Sequence, residues 1–531
     1  MSKKGSIILA LLVVAGVLGW RQWQARTAAD APTRTATAAT VSRPSGATAT
    51  PTVLTGPTRQ RGTLQFSPCT LTGAQASGNV QAQCAQMPVP ENPAEPQGRK
   101  ISLKIAWLEA GNDNAGEADP VFFIAGGPGQ SATEVASVVQ ASLREVLKKR
   151  DVFLIDQRGT GGSAPLECNG PDGKPLEIPE EESEAGLAVL TDFATRCAQA
   201  IKPHADTRFY TTAEAIGDLD AVRNALGAER INVMGVSYGT RVAQQYAKRF
   251  PAHVRAIVLD SVAPNELVVG GEFATTFEDA IALQAEQCSQ DPACAKRFPV
   301  DTRTQLRTVM ERLREAPVAV EYRNPGTGEI AHGKVTADTV TGLAFAFSYA
   351  PQTASLLPLV LDEAAQGRYE PLMSLAQLAS RQMGGQMNRL MQWSVICAED
   401  APRFEPSQAA EGTLLGPDVA KMFFAACPVW ASGTAPPDAA APLKSDVPAL
   451  LLAGQFDPVT PPRYAKRVLA GLPNGRLVIA PGQGHSVMAQ GCIPKLIGQF
   501  VETADAKALD TRCVDTMSRV PAFTSFNGWE P

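Results

Sequence analysis

The stretch Arg230-Ile-Asn-Val-Met-Gly-Val-Ser237-Tyr-Gly239-Thr decides the fold that we expect for this chain. It combines a short apolar strand, a Gly-x-Ser-x-Gly turn and the start of a helix that Pro251 can end. Because a sharp turn from strand to helix needs residues without bulk on either side, the two glycines allow Ser237 to lie there with its hydroxyl exposed. A serine in a purely structural glycine-rich turn is the alternative.

Continuous apolar segments on both sides of this stretch predict further buried strands. Between them, Thr211 and Glu214 form a capping-box pattern at the start of an amphipathic helix. Strands that alternate with helices indicate an α/β fold with a mostly parallel sheet covered on both faces. The predicted strands are residues 101–110 (antiparallel), 120–125, 151–155, 230–236, 254–259, 447–452 and 476–480.

The strand pattern is interrupted in the middle of the chain, where helical patterns at 273–287, 302–315 and 353–366 follow one another without matching strands. We interpret this part as a helical cap inserted into the core. The predicted division is a signal peptide or signal anchor (1–24), a Thr/Ala/Pro linker (25–61), the first part of the core (62–264), the cap (265–443) and the last part of the core (444–531).

The amino terminus and the cysteines both indicate export. Lys3 and Lys4 precede an uninterrupted apolar run from Ile7 to Trp20, which fits the core of a signal peptide better than a membrane span. Trp20 and Trp23 would suit an uncleaved anchor, so cleavage stays open. The ten cysteines form near neighbours that suggest five disulfides in a periplasmic or extracellular protein: Cys69 with Cys84, Cys168 with Cys197, Cys288 with Cys294, Cys397 with Cys427, and Cys492 with Cys513.

Composition argues against several classes of function. The net charge is −5 and no concentrated basic face is apparent, which disfavours a nucleic-acid partner. The four histidines and the cysteines show no metal-binding spacing. The loop Gly126-Gly-Pro-Gly129 lacks the Gly-Lys-Ser/Thr of a phosphate loop. We therefore expect neither a cofactor nor a metal. We further expect a monomer, in contact with a membrane only through a possible amino-terminal anchor.

A serine hydroxyl needs a base to remove its proton, and the base needs an acid to orient it. His485 is the candidate base because it directly follows the last predicted strand. Asp457 is the candidate acid because it follows the preceding strand, which gives the chain order Ser, Asp, His. Asp457 before a proline could instead only initiate a turn. The three placements agree and predict a serine hydrolase, whereas His204, His253 and His332 are interpreted as solvated.

Acyl transfer also needs hydrogen-bond donors for the negative oxygen of the tetrahedral intermediate. The backbone N–H of Tyr238, directly after the candidate nucleophile, is the first candidate donor. The second is expected from the glycine-rich loop, where Gly127 is preferred because Pro128 has no N–H.

Taken together, these motifs resemble the α/β-hydrolase superfamily, and within it the proline iminopeptidase and tripeptidyl aminopeptidase family of serine exopeptidases. The resemblance runs from about Gly62 to Cys513, and the stretch from Gly491 resembles the end domain of the secreted tripeptidyl branch. Proline iminopeptidases usually have histidine before Gly-Gly-Pro-Gly, whereas Ala125 stands here, which favours the tripeptidyl branch. Further motifs that match the family are Asp156-Gln-Arg-Gly-Thr-Gly-Gly-Ser163, Asp457-Pro-Val-Thr-Pro461 and Gly484-His485.

The resemblance implies release of single residues or short peptides from free amino ends of peptide substrates. Such an enzyme needs carboxylates that recognise the α-ammonium group, and Ser394-Val-Ile-Cys397-Ala-Glu399-Asp400 resembles the acidic segment that provides them in the family. Glu399 and Asp400 are therefore candidates, with helix capping or an arginine ion pair as the alternative. An esterase or lipase-like hydrolase acting on esters or lactones, and an inactive surface-tethered binding protein, are the alternative functions.

Overall fold

A computed structural model of the chain describes residues 57–73, 78–111, 119–176, 186–384 and 387–528, with the backbone alone described at 382–384. The predicted signal or anchor segment and most of the predicted linker lie outside these residues. In the part of the chain that is described, no helix is long and apolar enough to cross a membrane.

The core is a ten-stranded sheet with the strand order β1-β2-β3-β4-β6-β5-β7-β8-β11-β12. Strands β1 to β4 pair antiparallel with one another and β4 pairs antiparallel with β6, while all pairs from β6 to β12 are parallel. The strands are β1 (Arg59–Arg61), β2 (Leu64–Thr72), β3 (Asn79–Pro90), β4 (Lys100–Leu108), β5 (Val121–Ile124), β6 (Val152–Ile155), β7 (Ile231–Val236), β8 (Val254–Asp260), β11 (Ala449–Gly454) and β12 (Gly475–Ala480).

Helices cover both faces of this sheet, which confirms the predicted architecture. One face packs on α1 (Ala136–Ser142), α15 (Ile493–Thr503) and α16 (Arg512–Asp515). The other packs on α2 (Leu187–Ile201), α3 (Thr212–Ala225), α4 (Tyr238–Arg249), α12 (Arg389–Glu399) and α14 (Pro462–Leu469). Since strands β5, β6, β7 and β11 are buried on both faces, they need continuous apolar sequences, which is why these strands were visible in the sequence.

The segment between β8 and β11, apart from α12, is here called the inserted segment. It has a hydrophobic cluster of its own. It also contains a two-stranded antiparallel sheet of β9 (Val318–Arg323) and β10 (Ile330–Val335), so the expectation of helices without strands was incomplete. Only alternate residues of β9 are buried, a weak periodicity in so short a strand. The helices are α5 (Phe273–Gln290), α6 (Pro292–Arg297), α7 (Thr302–Glu315), α8 (Ala337–Phe347), α9 (Pro351–Ala354), α10 (Leu357–Ala365), α11 (Glu370–Gly384) and α13 (Asp418–Phe423).

The pairing of near-neighbour cysteines is confirmed. All five disulfides close local loops, with sequence separations from 6 to 30 residues. The pairs are Cys69–Cys84, Cys168–Cys197, Cys288–Cys294, Cys397–Cys427 and Cys492–Cys513. Disulfides of this number are typical of proteins that fold in an oxidising compartment.

Candidate active site

Ser237 lies in the sharp turn between β7 and α4, as the sequence predicted. Its backbone has φ 55° and ψ −124°, a conformation that non-glycine residues rarely adopt. A Cβ atom on Gly235 would collide with the carbonyl oxygen of Gly239, and one on Gly239 would collide with that of Ile124. The two glycines therefore let the turn close tightly against β5, so that Ser237 is partly exposed between buried neighbours.

His485 and Asp457 lie together at the carboxyl ends of β12 and β11. Nδ1 of His485 lies 2.8 Å from Oδ2 of Asp457 and 3.0 Å from Oδ1, and the two side chains are 10% and 0% exposed. Asp457 is held in turn, because it accepts hydrogen bonds from the backbone N–H groups of Val459 and Thr460 and from the Thr460 hydroxyl. Asp457 therefore stabilises its own turn, as in the alternative interpretation, and also contacts the imidazole.

The Asp457 contact fixes how the imidazole can act. With its Nδ1 proton donated to a carboxylate, the neutral ring keeps a lone pair on Nε2 for accepting another proton. Within the described residues, no hydrogen bond joins Nε2 to the hydroxyl of Ser237. Such bonds are often long in enzymes without substrate and shorten when substrate binds.

The charges around His485 alter its pKa and that of its partner. Burial alone lowers the pKa of His485, but the carboxylates of Asp457 and Asp260 outweigh burial and leave this pKa above its usual value. Burial raises the pKa of Asp457, yet the contact with His485 and the backbone hydrogen bonds bring it below the usual value. The site therefore favours an ionised aspartate beside an imidazole that readily accepts a proton.

The glycine-rich loop after β5 lies directly against Ser237. A Cβ atom on Gly126 would lie 3.1 Å from the Cβ of Ser237, and the Gly126 N–H donates to the side chain of Gln130 at 3.2 Å. Gly127 has a φ of 106°, which a side chain would disfavour. Tyr238 is the first residue of α4, so its N–H has no acceptor within its own helix. Both proposed donors thus belong to backbone segments that adjoin Ser237.

Glu399 is the last residue of α12, Asp400 directly follows it, and both are buried. Asp400 accepts bonds from the guanidinium groups of Arg241 and Arg403 and from the Val269 N–H, each at 3.1 Å. These contacts are the arginine pairing that the sequence left open as an alternative.

Glu399 has fewer charged contacts. It accepts hydrogen bonds from the N–H and the hydroxyl of Thr212, and it lies 3.8 Å from Arg241. Burial, partly offset by Arg241, raises the pKa of Glu399 to about 7. Glu399 and Arg241 also line a cavity of about 300 Å³ whose lining does not include Ser237, Asp457 or His485.

Sequence reasoning missed two residues that contact the His485 loop. Asp260 ends β8 and binds the backbone after His485, and Tyr349 accepts the His485 N–H with its carbonyl oxygen at 2.7 Å. The position of Asp260 directly after a predicted strand was a usable signal, whereas Tyr349 lies in the inserted segment and had none.

Of the other histidines, two behave as expected and one does not. His204 and His332 are exposed. His253 is only half-buried, stacks on Phe250 and lies 2.7 Å from a carboxylate oxygen of Asp220, so its interpretation as a solvated histidine was wrong.

Comparisons with known proteins identify the same fold. A family model for the alpha/beta hydrolase fold matches residues 119–324, and a model named TAP-like protein matches residues 412–513. The serine protease Hip1 of Mycobacterium tuberculosis is 26% identical over 467 residues, which cover 82% of this chain and 88% of that protein.

Two further relatives match shorter parts of the chain. A tripeptidyl aminopeptidase of Streptomyces lividans is 31% identical over 193 residues, or 34% of this chain and 35% of the relative. A protein named carboxylesterase B, from Mycobacterium tuberculosis, is 26% identical over 287 residues, or 51% of this chain and 52% of the relative. The sheet topology and the model over residues 119–324 show the α/β-hydrolase fold, and residues 412–513 are similar to TAP-like proteins.

Proposed function

We propose that this serine hydrolase is an exported exopeptidase that removes single residues or short peptides from the free amino ends of peptides. The observation that carries the proposal is the 2.8 Å contact between Asp457 and His485. Both residues lie, like Ser237, after the carboxyl ends of parallel strands of the sheet. Relatives named serine protease and tripeptidyl aminopeptidase support peptides as the substrates.

In the proposed mechanism, Ser237 attacks the carbonyl carbon of the scissile peptide bond while Nε2 of His485 takes the hydroxyl proton. Asp457 keeps the Nδ1 proton in place and stabilises the imidazolium. The N–H groups of Tyr238 and Gly127 are the proposed donors to the oxyanion. His485 then gives its proton to the leaving amine, which departs and leaves an acyl-enzyme. Water, deprotonated by His485, releases the acyl group and restores Ser237.

Export is part of the proposal, with the amino-terminal segment as either a cleaved signal or an anchor. The five disulfides support folding in an oxidising compartment, because a reducing one would leave the cysteines as thiols. The proposed location is periplasmic or extracellular, and the proposed active form is a monomer.

We further propose that Glu399 and Asp400 recognise the substrate's α-ammonium group. Glu399 is the stronger candidate because its one ion pair within the described residues has a distance of 3.8 Å, whereas Asp400 already shares its charge with two arginines. An ammonium group would also favour the ionised form of Glu399, whose pKa is raised by burial.

Replacing Glu399 or Asp400 by its amide should raise the KM for free-amine peptides roughly tenfold, because a charge-assisted contact with the ammonium group is replaced by a weaker neutral one. Acetylated substrates, which lack the ammonium group, are the internal control, because neither substitution should change the absent or residual cleavage that wild type shows on them. Unchanged KM values in both variants, accompanied by a lower melting temperature, would assign the two carboxylates to the arginine pairs alone.

The first test of the proposed function is hydrolysis of aminoacyl- and tripeptidyl-nitroanilides, each with a free and an acetylated amino end. We expect cleavage of the free-amine forms only, and the longest accepted unit defines the number of residues released. Ser237→Ala should abolish both cleavage and labelling by a fluorophosphonate. Equal cleavage of acetylated forms would contradict an exopeptidase.

Action on esters or lactones is the second candidate function, because a relative over half of the chain is named carboxylesterase B. The same residues can attack an ester, so the substrate pocket decides between the two reactions. Turnover of simple esters without any turnover of the nitroanilides would favour this second function.

A further inference from the structure

Asp260 is a buried carboxylate at the end of β8 that the proposed mechanism does not use. It accepts hydrogen bonds from the hydroxyl of Ser486 at 3.0 Å and from the N–H groups of Val487 and Met488 at 3.0 and 2.9 Å. These three residues directly follow His485, so a single carboxylate holds the backbone that leads away from the proposed base.

The same residue also holds the proposed nucleophile. Its carbonyl oxygen accepts the Ser237 N–H at 2.9 Å. The next residue, Ser261, contributes as well, because its hydroxyl oxygen accepts the Ser486 N–H at 2.7 Å. Residues 260 and 261 thus connect the turn of Ser237 with the loop of His485.

Two backbone conformations indicate that these contacts determine the local shape. Ser261 and Ser486 have φ values of 57° and 64°, in the left-handed region that residues with a Cβ atom disfavour. Such conformations persist only where the surroundings enforce them. The hydrogen bond between the two serines, together with the Asp260 carboxylate, provides that constraint.

Asp260 is also one of the few ionisable groups around the imidazole. Asp457 contacts Nδ1 from the loop after β11, and the Tyr349 ring lies 5.2 Å from the imidazole on the side of the inserted segment. Asp260 contributes from the end of β8 and, after Asp457, raises the pKa of His485 against the effect of burial. Its own hydrogen bonds limit the rise that burial causes in its pKa.

We propose that Asp260 is a positioning residue for the base. It fixes the loop of His485 relative to Ser237, and its negative charge stabilises the imidazolium that forms when the serine proton is taken. This inference rests on the proposed function of Ser237, Asp457 and His485, and it adds a second carboxylate to the proposed triad.

The test is Asp260→Asn, because the amide keeps the shape and one of the two acceptor oxygens but removes the charge. We expect the acidic limb of the pH profile of kcat/KM to move to lower pH by about half a unit to one unit. We also expect kcat on a free-amine nitroanilide to fall roughly tenfold or more, with KM within about twofold, because small misplacements of the base slow the reaction.

Asp218→Asn is the matched control. Asp218 is another buried carboxylate, paired with Arg158 at 2.7 Å, and it has no contact with the proposed catalytic residues. It should lower the melting temperature without moving the acidic limb. An acidic limb that stays in place in Asp260→Asn would overturn the electrostatic part of the proposal.

Ser486→Gly tests the positioning separately, should Asp260→Asn fold poorly. Glycine suits the left-handed conformation and removes the CH2OH group whose hydroxyl binds Asp260. We expect kcat to fall severalfold with the acidic limb unmoved, and an unchanged kcat would overturn the positioning part. If the wild-type protein neither cleaves the nitroanilides nor reacts with a fluorophosphonate, the proposed function itself is wrong. If it does both, the variants test only the role of Asp260.

Discussion

At the scale of single residues, the candidate site is an imidazole whose charge two buried carboxylates influence. Asp457 contacts Nδ1 directly, whereas Asp260 acts through the backbone of the same loop. Both negative charges favour the protonated imidazole, and burial opposes them. The balance decides in which pH range His485 is neutral and able to act as a base.

This balance predicts the pH dependence of activity. His485 must be neutral to accept the serine proton, and its pKa lies above 6.5, so kcat/KM should rise with pH through a midpoint above that value. The direction follows because the carboxylates hold the proton to higher pH than in free histidine. A profile of kcat/KM on a free-amine nitroanilide measures the midpoint, and a plateau extending below 6.5 would contradict the prediction.

At the scale of elements, the turn that carries Ser237 and the start of α4 pack closely against the backbone at the end of β5. A Cβ atom on Gly239 would collide with the carbonyl oxygens of Ile124 and Ala125, both at the end of β5. The same glycine that permits the turn therefore also sets the distance between Ser237 and the glycine-rich loop. Backbone atoms cannot yield as a flexible side chain can.

Gly239→Ala should consequently destabilise the protein by several kcal/mol, about 3 or more, because an overpacked backbone contact has to be relieved by shifting β5. The control is Gly217→Ala in α3, an exposed helical position where a Cβ atom meets nothing within 4 Å. That change should stabilise by about 0.5–1 kcal/mol. Chemical denaturation of both variants measures the difference, and equal stabilities would refute the close-packing argument.

The sequence revealed those elements whose pattern reflects burial. The strands around Phe122, Phe153 and Leu451 are apolar throughout because both faces are covered, and the turn at Ser237 shows its glycines. The early strands β1 to β3 and the hairpin of β9 and β10 were missed, because partly exposed strands alternate too weakly to be recognised. Asp260 was missed for another reason, since its role depends on a loop more than two hundred residues away along the chain.

At the scale of the whole molecule, the inserted segment and the core meet at the proposed base. The carbonyl oxygen of Tyr349, just after α8, accepts the His485 N–H, and a Cβ atom on Gly484 would collide with the same carbonyl group. Near the carboxyl terminus, Arg297 of the inserted segment donates to the carbonyl oxygen of Thr524. We therefore expect a displacement of Tyr349 to alter the position of the imidazole.

The disulfides stabilise this assembly unequally. Cys397–Cys427 closes a loop with a sequence separation of 30 and ties α12, which packs in the core, to the residues after α13, whereas Cys288–Cys294 spans a separation of 6 within the inserted segment. In the loop-entropy model, their loss should cost about 3.6 and about 2.2 kcal/mol of unfolding free energy. Replacing each pair by serines and measuring urea denaturation tests the order. Cys397 lies two residues from Glu399, so only the loss of Cys397–Cys427 should also raise the KM for free-amine peptides. An effect of similar size from the loss of Cys288–Cys294 would show that the inserted segment, and not α12, controls binding of the amino end.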